Sequence, residues 1–201
     1  IPEMAGRPTL IKGHSQLFFP GMGRLQENSV VNVKNHSFSV TAEIDVRKGK
    51  PASGVIIAQG GRFGGWSLYA KDGCARFVYN VLGIHEFATV ATEPMPEGKH
   101  QVRMDFAYDG GGLGKGGKVT LYYDGRSVGS GRVDMTQAMV FSMDETTDIG
   151  HDSGTPVSPD YSVHASKFTG KIHWVQLDVG VDDNDHFIAP EERLRIAMAR
   201  Q

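Results

Sequence analysis

Residues 36–46 alternate without interruption: Phe38, Val40, Ala42, Ile44 and Val46 fall on one side, and Ser37, Ser39, Thr41, Glu43 and Asp45 on the other. A period of two with one apolar side predicts a strand that lays one face on a core and the other in water, the habit of antiparallel sheets. Residues 100–106 repeat the pattern, with Val102, Met104 and Phe106 opposing Gln101, Arg103 and Asp105. So do residues 118–123, where Val119, Leu121 and Tyr123 oppose Lys118, Thr120 and Tyr122. Asp124-Gly125 supplies two residues that tolerate the positive φ angles of a type I′ hairpin, so residues 126–133 are predicted to return as the partner strand. Three neighbouring antiparallel strands therefore occupy residues 100–133, and every other segment must pack against them.

Shorter signals fill the rest of the chain. Residues 17–19 read as a short strand stopped by Pro20-Gly21, and residues 28–35 as a mixed edge segment. Residues 54–59 are wholly apolar up to Gln59, which fits a strand inside a sheet rather than at its rim. Gly60-Gly61-Arg62-Phe63-Gly64-Gly65 breaks it, residues 66–70 resume, and Asp72-Gly73 marks a second type I′ turn before residues 76–79 return. Further strands are predicted over residues 83–90, 138–143 and 169–179, the last with a change of phase between Trp174 and Val175 that implies a bulge. Residues 144–159 form a long polar loop. Residues 190–200 are the one helical pattern: Pro190 suits the first position, Glu191 and Glu192 the positive end and Arg200 the negative end. Leu194, Ala197 and Met198 make its narrow apolar stripe. Many short strands with regular turns and one terminal helix predict an all-β, two-sheet antiparallel sandwich. The division expected is a connecting segment packed on the sandwich (1–35), the β-sandwich (36–180), and an acidic loop with the C-terminal helix (181–201).

Composition adds bounds. A chain of 201 residues is long enough for one large all-β domain and a substantial core. Its formal net charge of −2 argues against nucleic acid or an anionic membrane as a partner, and no apolar run approaches the ~20 residues of a membrane span. Residues 1–20 lack the basic start and apolar core of a signal peptide, which leans toward the cytoplasm. The absence of an initiator Met is expected of a fragment or processed chain. Cys74 is the single cysteine, so no internal disulfide forms and the redox compartment is undetermined.

Candidate chemistry is sparse. The run Gly112 to Lys118 has the spacing of a phosphate-cradling loop, but Val119 stands where the motif needs a hydroxyl, and a strand rather than a helix follows. The carboxylates Asp105, Asp109, Asp124, Asp134, Asp144, Glu145, Asp148 and Asp152 show no strand spacing that would aim two acids across a cleft. His151, Asp152 and His164 lack the spacing of zinc ligands. Asp182, Asp183 and Asp185 resemble a calcium loop in composition, yet the twelfth position counted from Asp182 is Arg193 rather than Glu; they stand as weak Ca²⁺ candidates only. No strand-to-helix turn that would make a G-x-S-x-G nucleophile elbow is predicted. Among the aromatics, Phe63, Trp66, Tyr69, Tyr79 and Tyr122 suit a sugar-stacking platform, against which stands core packing, the commoner use of strand aromatics. Arg62-Phe63 differs, because a bulky ring on a glycine-flanked loop calls for a contact beyond its own strand. Arg62, Phe63 and Trp66, with Leu194 and Met198 on the helix, are thus the candidates for ligand or interdomain contact.

The blocks LQENSVVNVKNHSFSVTAEI (25–44), GVIIAQGGRFGGWSLYAKDG (54–73), FAYDGGGLGKGGKVTLYYDG (106–125) and FSMDETTDIGHDSGTPVSPDY (141–161), with the ending DDNDHFIAPEERLRIAMARQ, resemble the C-terminal region of large bacterial arylsulfatases. The resemblance implies a concanavalin A-like, laminin-G-like jelly-roll sandwich behind an alkaline-phosphatase-like catalytic domain. It implies no catalytic residue here: sulfatases make formylglycine from the Cys or Ser of a C-x-P/A-x-R motif beside a Ca²⁺, whereas Cys74 is followed by Ala75-Arg76-Phe77. Formylglycine and Ca²⁺ are accordingly expected in a separate catalytic domain, and no cofactor in this chain. The expected role is a non-catalytic domain that docks on the arylsulfatase catalytic domain in cis. The alternative is a carbohydrate-binding module that takes a glycan or aryl sulfate, and behind it comes a stand-alone sandwich glycosidase.

Overall fold

The computed structural model describes residue 11 and residues 13–142 and 145–180. Eleven strands cross them: β1 (Ser15–Phe18), β2 (Phe38–Val46), β3 (Gly54–Gly61), β4 (Gly64–Lys71), β5 (Cys74–Val81), β6 (His85–Val90), β7 (Gly98–Tyr108), β8 (Lys115–Tyr123), β9 (Arg126–Met135), β10 (Thr147–Ile149) and β11 (Lys171–Val179). They form a six-stranded sheet in the order β1-β11-β2-β7-β8-β9 and a five-stranded sheet in the order β10-β3-β4-β5-β6. Every pairing within the sheets is antiparallel. The result is a two-sheet antiparallel jelly-roll sandwich of the concanavalin A-like kind.

The alternating segments lie as their pattern requires. β7, β8 and β9 are neighbours, with Met104 opposite Leu121 and Phe106 opposite Val119. Their inward side chains meet those of the other sheet, and Phe38 packs on Trp66 and Phe106 at ring separations of 5.5 and 5.4 Å. The two hairpins predicted from Asp-Gly pairs have both residues at positive φ: 54° and 83° at Asp72-Gly73, 48° and 81° at Asp124-Gly125. The glycine run before Val119 has a structural use as well. A Cβ on Gly117 would stand 2.6 Å from the Phe106 ring and 2.5 Å from the Ala107 carbonyl oxygen. At the edge where the sheets meet, Gly129 lets β9 approach β6 so closely that a Cβ would lie 2.7 Å from the Val90 carbonyl oxygen.

Four expectations change. Residues 138–142 are not a strand, and residue 143 lies outside the described residues; the small sheet instead takes its edge strand β10 from within the polar loop, where three residues are too few to show a period. Residues 28–35 hold a 3₁₀ turn (Glu27–Ser29) and then coil, though Val30, Val31 and Val33 are buried. The bulge in β11 falls between Ile172 and Trp174, slightly upstream of the phase change. The polar side of β2 is not wet: Ser39, Thr41 and Glu43 are buried, with Arg103 donating to Thr41 Oγ1 at 3.2 Å and Lys99 paired with Glu43 at 2.9 Å. Long side chains of the neighbouring strand thus share this face with short ones. The predicted helix, its Leu194, Ala197 and Met198, and Asp182, Asp183 and Asp185 lie outside the described residues, as does the N-terminal part of the expected connecting segment. Among the described residues no helix is long and apolar enough to cross a membrane.

Candidate functional site

β3 turns into β4 through Arg62 and Phe63 alone. The glycines on either side permit this: a Cβ on Gly65 would lie 2.9 Å from the Gly60 Cα, and a side chain on Gly64 would collide with Gln137. Phe63 therefore projects from the tip and is 69% exposed. Beside it is the β5–β6 turn, where Leu82 and Gly83 take φ of 57° and 70°. Leu82 and Ile84 are also exposed there. Asn80 welds the two tips together. Its Nδ2 donates to the carbonyls of Arg62 and Val157 at 3.0 and 2.9 Å, and its Oδ1 accepts the Gly83 N–H at 2.8 Å.

A third piece closes the site. Residues 150–168 run across the outer face of the five-stranded sheet, where Val157 and Tyr161 complete a small apolar cluster with Val55, Ala58, Tyr69 and Val78. Asp160 ties this loop to β4 and β5, accepting from the Tyr69 hydroxyl at 2.7 Å, Lys71 at 2.6 Å and Arg76 at 2.9 Å. Burial alone would raise the Asp160 pKa. The hydrogen bonds from Lys71 and Tyr69 and the charges of Lys71 and Arg76 outweigh it and hold the carboxyl below its ordinary value. Burial and the bond to Asp160 push the Tyr69 hydroxyl well above its ordinary value.

Between the tips and the loop lies a cavity of about 450 Å³, lined among others by Arg62, Asn80, Ile84, Glu86, Ser158 and Tyr161. The guanidinium of Arg62 has no hydrogen bond or ion pair among the described residues. Glu86 accepts a long hydrogen bond from Ser158 Oγ at 3.4 Å, and partial burial, then the neighbouring Asp160, raise its pKa. One wall thus carries a guanidinium and another a carboxylate, with Ile84 in the lining and Phe63 beside Gly83, which also lines it. This is the donor, acceptor and flat apolar surface that a polyhydroxylated ring needs.

Of the candidates read from sequence, Arg62 and Phe63 stand at this site. Trp66 does not, because it is fully buried between the sheets and its Nε1 donates to Gln59 Oε1 at 2.9 Å. The imagined aromatic platform is dispersed: Tyr79 is in the core, Tyr69 lies under the loop, and Tyr122 belongs to the other sheet. Of the carboxylates, Asp105 pairs with Arg103, Asp109 and Asp134 with Arg132, and Asp124 with His100. Each is accounted for on the six-stranded sheet. His151 points Nδ1 at the Ile149 carbonyl, and among the described residues no group of three or more His, Cys, Asp or Glu side chains is arranged to hold a metal. Asn80, Glu86 and Tyr161 were not legible as site residues, since two come from strand patterns and one lies just past the polar loop, where no pattern marks it. The one sequence signal was Leu82-Gly83, a tight turn with a leucine where Asn or Asp is usual.

No protein-family profile matches the sequence, and no curated protein matches it. Solved structures do match the fold. The CBM40 module of the Ruminococcus gnavus IT-sialidase, solved with α2,3-sialyllactose, aligns over 94% of this chain and 96% of its own at 11% identity and a TM-score of 0.51. A K499G mutant of the NanB sialidase of Streptococcus pneumoniae aligns over 89% of this chain and 27% of its own, at 13% identity and a TM-score of 0.53. The leech intramolecular trans-sialidase, solved with 2,7-anhydro-Neu5Ac, aligns over 92% and 27%, at 9% identity and 0.51. At such identities the likeness is one of fold.

Proposed function

We propose that this chain is a non-catalytic carbohydrate-binding module that holds a glycan at the hairpin tips around Arg62 and Phe63. The observation that carries the reading is the pairing of an exposed aromatic ring with a cavity, at one end of the small sheet, whose mostly apolar lining holds a few polar side chains, Arg62, Asn80, Glu86 and Ser158 among them. A pyranose presents an apolar face of C–H groups and an equator of hydroxyls. Phe63 offers a stacking surface for the first, and Arg62 and Glu86 offer a donor and an acceptor for the second. The match to a module solved with sialyllactose supports a glycan ligand. A glycan array followed by titration calorimetry on the purified chain tests it: saturable binding that Phe63→Ala or Arg62→Ala weakens at least tenfold is expected. Binding untouched by both substitutions, or no binding across neutral, sialylated and sulfated glycans and aryl sulfates, overturns it.

A second reading rests only on the resemblance of the sequence blocks to arylsulfatase C-terminal regions: the module accompanies an arylsulfatase catalytic domain, which would supply the formylglycine and Ca²⁺. The two readings are compatible, as a module can both dock and bind. A reading frame in which a C-x-P/A-x-R motif precedes this sequence is the expected finding, and an upstream frame encoding an unrelated domain ends the second reading.

A further inference from the structure

We propose that the loop walling the cavity is a proton-operated strap, held shut against the five-stranded sheet by neutral Asp152 and released when Asp152 ionises. The inference rests on the cavity being the ligand site and concerns what regulates it. Asp152 is 2% exposed and ties three parts of its loop together. Its Oδ2 accepts the Val157 N–H at 3.1 Å and the Tyr161 O–H at 2.8 Å, while its own N–H donates to Ser166 Oγ at 3.1 Å. Tyr161 in turn meets Tyr69 edge-on at 5.2 Å and forms part of the cavity wall with Ser158. The internal shape of the wall therefore depends on this carboxyl group staying buried, while Asp160 and Asn80 anchor the wall to the sheet and the hairpin tips.

Among the described residues no cation faces that group. Asp148 on β10, itself 2% exposed, and Glu145 approach it with like charge. The ring of His151 stands 4.0 Å from Asp148 rather than against Asp152. Lys71 and Arg76 are engaged by Asp160. A buried carboxylate without a counter-charge favours its neutral form. Burial drives the Asp152 pKa upward, the bonds from Tyr161 and Val157 pull it down, and Asp148 and Glu145 add to the rise, which leaves it at about 6. The neutral acid keeps a carbonyl oxygen for both donors, so protonation preserves the closed geometry. In a released loop the group is hydrated and titrates as an ordinary Asp, near ~3.9. The closed strap thus binds its proton more tightly than the open one, and linkage makes opening more frequent as pH rises.

Hydrogen exchange of the purified chain, corrected for the intrinsic pH dependence of exchange, reads the opening directly. Between pH 5 and pH 8 the open fraction of residues 153–163 is expected to rise about tenfold. Asp152→Asn, which keeps the acceptor and loses the charge, is expected to show no such rise. Unchanged protection in the wild-type chain, or an undiminished rise in the variant, overturns the strap; if the variant does not fold, the wild-type titration alone decides. A glycan bound equally well at pH 5 and pH 8 overturns the coupling of strap to site. Absence of glycan binding at either pH instead defeats the carbohydrate reading and leaves the exchange result standing.

Discussion

The five-stranded sheet turns its chain at two ends, and the turns are built differently. At one end β4 passes to β5 through Asp72-Gly73, residues that accept positive φ at little cost. That turn is tied down on all sides: the Gly73 N–H donates to Ala52, its carbonyl accepts from Met95, and Pro51 and Pro94 pack beside it. At the other end stand Arg62-Phe63 and Leu82-Gly83, which expose three large apolar side chains, Phe63, Leu82 and Ile84. Leucine at a positive φ is strained, because its Cβ crowds the backbone, and such strain gathers where a side chain has a use beyond the turn. The first end is made for folding. The second leaves its apolar side chains exposed, and there the cavity lies.

If the distinction holds, substitutions at the core and at the tips should separate stability from binding. The largest effect belongs to the core. Trp66→Ala is expected to lower the unfolding free energy by ~3–5 kcal/mol, since it empties the space between Phe38 and Phe77. Urea denaturation reads this, and a loss below ~1 kcal/mol would mean that the two sheets close over the gap.

Next comes Asp152. Its pKa is raised in the folded chain, so its contribution is full below the ordinary Asp pKa and disappears as pH climbs through about 6. Unfolding free energy should therefore fall between pH 4 and pH 7, by up to ~3 kcal/mol from this group. Asp152→Asn should remove that part of the slope and be the more stable protein at pH 7; a wild-type slope of the opposite sign would contradict the assignment. Phe63→Ala is expected to leave stability within ~0.5 kcal/mol, as exposed positions do, while costing at least tenfold in glycan affinity. Equal loss of both would place Phe63 with the core instead. The smallest effect is at Leu82, where Leu82→Asn should relieve the strained φ and stabilise by ~0.5–1 kcal/mol. No gain in thermal midpoint would show that Leu82 is supported by contacts that an asparagine forfeits.

Much of this architecture was written in residue order. Alternation over residues 36–46, 100–106 and 118–123, together with Asp72-Gly73 and Asp124-Gly125, is enough to set strands, turns and the antiparallel meander. Each of these signals joins residues that are neighbours in the chain, so the pattern is local. Arg62 and Phe63 were legible for the same reason, as bulky residues framed by glycines. The strand β10 escaped notice because its three residues make sense only beside β3. Trp66 escaped because strand alternation does not say which of two faces meets the other sheet.

The remainder of the site joins residues far apart in sequence. Asn80 bridges Arg62 to Val157, and Asp160 gathers Tyr69, Lys71 and Arg76 from two strands. The sequence alone determined a β-sandwich with two candidate tip residues, because hydrophobic alternation and turn chemistry act over a few positions. Only the packing of the loop on the small sheet decided that a cavity exists and that a carboxyl group is buried behind it. Burial and the pairing of charges depend on what comes close in space, which the order of residues does not state.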